Sequence, residues 1–204
     1  MEVAKIQFSP AEIELVNNVD FILTKNEVLH KIKVLLIQIQ ELQLKYAEIN
    51  GWKSHPLFRI PPKISRGENY KGFPYMILDY PRVSNADDFF FIRIFFWWGH
   101  FFSSTIHVKG KSKDLIFSNV LNQIEQLQKG GYFISINPDP WIHDFEETNY
   151  QLIETFNKQE WEMNWQANDY IKIAVKSPLS DWQVLELSLF NNWKYLLGLS
   201  GLVA

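Results

Sequence analysis

The sequence predicts an α+β fold: a mostly antiparallel, aromatic-rich sheet of about five or six strands, with helices packed on one face and two of them N-terminal. Three observations lead to this. Helix-capping signals stand near both ends of the chain, a period of two replaces helical spacing in the middle, and strand segments follow one another through short turns. A single domain is expected over 1–204, with a helical pair in 1–50, a sheet with inserted helices over 73–176 and a C-terminal helix over 181–198.

Ser9-Pro10-Ala11-Glu12 reads as a capping box with proline at the first helical position, predicting a helix from Pro10 to Leu23. Thr24-Lys25-Asn26-Glu27 reads as a second box, opening a helix that ends near Asn50-Gly51. In that helix Val28, Ile32, Leu35, Ile39, Leu42, Tyr46 and Ile49 alternate steps of four and three. Leu29, Leu36, Ile37 and Leu44 widen the stripe, so it packs on the domain's own sheet or forms a homodimer through the Lys25 to Ile49 helix. A helix is expected between Ser112 and Gly130-Gly131, another near Glu146 to Phe156, and a last one from the Ser180-Asp181-Trp182-Gln183 box to Gly198.

Strands are expected at Phe73 to Tyr80, Phe89 to Trp98, Phe101 to Val108 and Tyr132 to Ile136. Gly99-His100 is either a two-residue hairpin turn or a bulge in one bent strand. Trp161, Met163 and Trp165 alternate with polar residues and read as one arm of a hairpin whose other arm is Tyr170 to Lys176. Gly51 to Gly72 reads as a long loop, stiffened by Pro61-Pro62 and carrying five basic residues against one acidic.

Composition narrows the chemistry. The absence of cysteine from the 204 residues excludes disulfides, thiolate metal sites and a cysteine nucleophile. A net charge of −3 gives no overall attraction to nucleic acid. Met1 to Pro10 lacks a basic stretch followed by an apolar one, so a cytoplasmic protein without a signal peptide is expected. The apolar run from Phe89 to Phe102 carries Arg93 and His100 and falls short of the roughly 20 residues that a membrane span needs. Serine-hydrolase, kinase, dinucleotide-binding and zincin signatures are missing. His100, His107 and His143 do not fall at metal-ligand spacing, so neither a metal nor a cofactor is expected. Asp139, Asp144, Glu146 and Glu147 belong to an acidic stretch from Asn137 to Asp169 that reads as solvated surface and helix first turn.

Arg93 is the sharpest single residue. It lies mid-strand with Phe91 and Phe95 on its face, where an unpaired guanidinium is costly. If the preceding turn centres near Asn85, Asp79 falls diagonally across from it. The expected function is that of a non-enzymatic binding or interaction module with an aromatic sheet face and a basic loop. Its partner is a protein or a small amphipathic anion, with Trp97 among the rings and Arg93, Arg66 or Lys71 fixing the charged end. The alternative is an enzyme acting on a small anionic or amphipathic substrate, with Arg93, Asp79 and His107 around a pocket.

Overall fold

The structure is a computed structural model and describes residues 6–202; Met1 to Lys5, part of the leader reading, and Val203-Ala204 lie outside it. The elements are α1 (Pro10–Asn17), α2 (Val19–Ile49), β1 (Lys63–Tyr70), β2 (Phe73–Ser84), β3 (Phe89–Trp97), β4 (Phe101–Lys109), α3 (Lys111–Asn122), α4 (Ile124–Lys129), β5 (Phe133–Ser135), β6 (Tyr150–Leu152), α5 (Lys158–Ala167), β7 (Tyr170–Pro178) and α6 (Leu185–Gly198). The seven strands form one antiparallel sheet in the order β1-β2-β3-β4-β7-β5-β6.

Alternation sorts the strand residues onto two faces. Met76, Leu78, Phe90, Ile92, Ile94, Phe96, Phe102, Ile106, Val108, Ile171 and Ile173 face the helices and are all buried. Leu29, Ile32, Leu36 and Ile39 of α2 and Leu185 and Leu189 of α6 pack against one half of this layer. Ile116 and Val120 of α3, Trp161 and Trp165 of α5, and Trp193 of α6 join the other half. The inner stripe of α2 is thus consumed within the chain.

The Ser9 capping box forms as expected, with the Glu12 carboxylate accepting from the Ser9 amide at 2.7 Å. The helix break falls at Asn18 rather than Thr24. Asn18 caps the second helix by accepting from the Phe21 amide at 2.9 Å, so Thr24 sits inside a continuous helix whose own carbonyls already serve its amides. The Gly99 hairpin forms, with Gly99 at φ +77° where L-residues are strained.

Four expectations are corrected. Strand β1 occupies much of the segment read as a loop; it is a polar edge strand, and edge strands dispense with the apolar pattern of central ones. Residues 161–165 are helical: Asn157 and Glu160 form a capping box, and Trp161 and Trp165 share the buried face while Met163 points outward. The segment near Glu146 to Phe156 contains β6 and a single 3₁₀ turn instead of a helix. Helix α6 begins at Leu185, four residues later than expected, because Ser180 turns its hydroxyl onto Asp181.

This packing separates the two ends of α2. Leu36 is fully buried whereas Leu23 is 56 % exposed. Leu36→Ala is expected to lower unfolding stability by about 2–5 kcal/mol and Leu23→Ala to change it by less than about 0.5 kcal/mol, read from urea denaturation.

Candidate functional site

The face of the sheet turned away from the helices carries a polar row. Asp79 on β2 pairs directly with Arg93 on β3, not diagonally, and His107 on β4 pairs with Lys172 on β7. Arg93 lends Asp79 a two-pronged contact, Nε to Oδ1 at 2.8 Å and Nη2 to Oδ2 at 2.9 Å. The two side chains are only 12 % and 11 % exposed.

A strap, residues 136–149 between β5 and β6, covers this row. Its turns are held locally: the Asp139 amide donates to Asn137 Oδ1 at 2.8 Å and the Trp141 amide to Asp139 Oδ1 at 2.9 Å. The Trp141 ring lies over the Arg93 guanidinium at 5.7 Å. His143 stacks on Phe95 and presents Nε2 to Arg93 Nη1 at 3.0 Å. The Tyr70 hydroxyl, at the end of β1, accepts from the His143 amide at 2.6 Å and the Asp144 amide at 3.2 Å and donates to Asp144 Oδ2 at 3.2 Å. Lys71 closes the strap from outside, 3.0 Å from Asp144 and 3.1 Å from Glu146.

Burial sets the proton equilibria here. Burial holds His143 and His107 well below the ordinary imidazole value, with Lys172 and then Arg93 acting in the same direction. Burial pushes the Asp144 carboxyl up, but hydrogen bonds from Lys71 and Asn149 outweigh it and leave the group below the usual carboxylate value. Burial raises the Tyr70 phenol, so it stays a hydroxyl able to donate to Asp144.

Of the residues expected at a site, the structure brings Arg93, Asp79 and His107 onto one face. His107 is 3 % exposed, edge-on to Phe89 at 4.5 Å, and its Nε2 has no partner among the described residues. Trp97 shares that face, but its indole N–H donates to the Tyr70 carbonyl at 3.1 Å and its ring stacks on His100. Lys71 belongs to the turn that grips the strap. Arg66 pairs with Met76 in the β1–β2 ladder and therefore lies on the helix side, bound to Glu68. The two arginines do not converge, and the aromatic face is roofed rather than open. Sequence reading missed Lys172, His143 and Tyr70. Lys172 gave no such signal, because a lysine that alternates with the core residues Ile171 and Ile173 reads as solvent-facing until the strap is placed over it.

Among the described residues no group of three or more His, Asp or Glu side chains is placed to hold a metal ion. Comparison with family models, curated proteins and solved structures finds no match to this chain.

Arg93→Met strands the Asp79 carboxylate and is expected to cost about 3–5 kcal/mol, much of it recovered in the double variant Asp79→Leu/Arg93→Met. Denaturant melts of the three proteins check this. The histidines add a pH dependence. Their folded values are depressed, so the unfolded chain binds more protons below the ordinary value of 6.5. The histidine contribution is full above that value, and it is expected to lower the urea midpoint as pH drops from 6.5 towards 5.

Proposed function

We propose that this chain is a non-enzymatic interaction module that associates through a protruding N-terminal helical arm. One observation carries the reading. Eight large apolar side chains between Phe8 and Leu23 are exposed (Phe8, Ile13, Leu15, Val16, Val19, Phe21, Ile22 and Leu23), and α1 buries no residue. An apolar surface of this density is uncommon on a chain that works alone. The strap over the Arg93 row further supports an interaction role, because that polar row is sealed instead of lining a cleft.

The charge of the arm narrows its occupant. From Phe8 to Thr24 it carries Glu12, Glu14 and Asp20 and no basic residue. That pattern disfavours an anionic lipid surface and suits an apolar groove with a basic rim. This chain has such a groove beside the arm. A hollow of about 470 Å³ between α2 and β1 has Leu29, Ile64 and Met76 at its floor and His30, Lys33 and Arg66 around it. The occupant that fits both features is therefore a second copy of this chain. A two-fold axis near Asn26 would lay each acidic arm against its partner's groove, an isologous exchange. The dimer contact thereby moves from the inner stripe of α2, which is used internally, to the arm.

Sedimentation velocity at micromolar concentration tests this. The wild type is expected to be dimeric, and Val16→Glu/Phe21→Glu monomeric with an unchanged circular dichroism spectrum, since both positions are exposed. Raising salt should weaken the dimer. A wild type that stays monomeric at all concentrations rejects the second copy as the occupant.

A further inference from the structure

Lys172 is fully buried beneath the strap and has three polar neighbours at Nζ. They are the carbonyl of Pro140 at 3.1 Å, the carbonyl of Ile142, and His143 Nδ1 at 3.1 Å. The other ring nitrogen of His143 faces Arg93 Nη1 at 3.0 Å. A guanidinium only donates and keeps its charge, so Nε2 must accept. A neutral imidazole then carries its proton on Nδ1, and that N–H points at Lys172. An ammonium has no lone pair to receive it. A neutral amine has one lone pair and two N–H groups, which match one imidazole N–H and two carbonyls. The other proton arrangements fail. Lys172 as ammonium moves the imidazole proton to Nε2, where two donors meet at the 3.0 Å contact with Arg93. An imidazolium creates the same clash and adds a buried charge.

We propose that Lys172 is a neutral amine in the closed structure and that its protonation opens the 136–149 strap. Among the described residues no carboxylate lies within salt-bridge reach of its amine. Arg93 on β3 and His107 on β4 face it from the sheet, Tyr150 on β6 sets its ring 5.4 Å away, and Tyr170 shares its strand. From the strap come Asp139, His143 and Asp144. Asp79 is held by Arg93 and Asp144 by Lys71. Burial drives the amine down to about 7, Arg93 assists, and Asp139 and Asp144 oppose. A proton added here meets a guanidinium and an imidazole N–H. The relief available is to lift the strap, which carries both carbonyls and His143 and would bare Phe91, Phe95 and Arg93. The device is independent of the arm and would survive the arm's failure to dimerise.

Two measurements on the wild type test it without a variant. Lysine side-chain NMR is expected to show one amine titrating near pH 7, with Lys172→Arg assigning the resonance; ¹⁵N shifts should place the His143 proton on Nδ1. A Lys172 amine that stays protonated up to the ordinary lysine value of 10.5, or a proton on Nε2, overturns the neutral amine. Hydrogen exchange at the His143 and Asp144 amides, both held by Tyr70, reads the strap. The opened strap binds the proton at the ordinary lysine value of 10.5, whereas the closed one binds it only near 7. Protection factors should therefore fall as pH drops from 9 to 7, by roughly tenfold to a hundredfold. The histidines titrate below this window and do not contribute to it. Protection that does not change over that range overturns the switch. In Lys172→Met, if it folds, the pH dependence of protection should vanish, and its persistence would also reject the switch.

Discussion

A guanidinium cannot lose its charge, so a chain that places Arg93 in mid-sheet among phenylalanines must supply acceptors on every side. Much of the second face of this protein follows from that requirement. Asp79 answers from the neighbouring strand, His143 from above and Trp141 with its ring face. The strap that brings the last two must itself be anchored, and Tyr70 and Lys71 at the β1–β2 turn and Lys172 on β7 do so. A sheet covered by helices on one side is thus covered on the other by irregular chain, because polar side chains in the sheet can satisfy the backbone groups such chain exposes.

The two faces are built on different physics. The helix side is close-packed apolar surface, where any well-fitting hydrophobe serves. The strap side is a hydrogen-bonded network in which donors and acceptors must balance, so the proton positions of His143 and Lys172 depend on one another. The first gives stability that varies little with pH, and the second ties the closed form to proton concentration.

Helix α2 shows how one periodic sequence spans two environments. From Leu29 to Ala47 its inner residues are buried against β2, β3 and α6, Val28 and Lys25 are only partly covered, and N-terminal to Lys25 the residues of the same helix are exposed. Seven-residue spacing in the sequence continues across this boundary without a mark. Where the body of the domain stops is set by the lengths of β2 and β3, which lie far away in the chain.

Locally encoded features were legible in the residues. The Ser9 capping box, the Gly99 hairpin, the turn at Asn85 and the parity that joins Asp79 to Arg93 each depend on residues near one another, and each forms. Features of weak local signal were not. Strand β1 is polar because it lies at an edge, and α5 was misread because Trp161, Met163 and Trp165 fit alternation as well as helical spacing until the Asn157 cap is noticed. By itself, then, the sequence determined the α+β class, the antiparallel hairpins and the need for Arg93 to find an anion. Only the tertiary structure decided that this face is roofed, that Lys172 and His143 complete the network and that the arm stands free. Those outcomes rest on contacts between residues 29 to 74 positions apart, which no local pattern records.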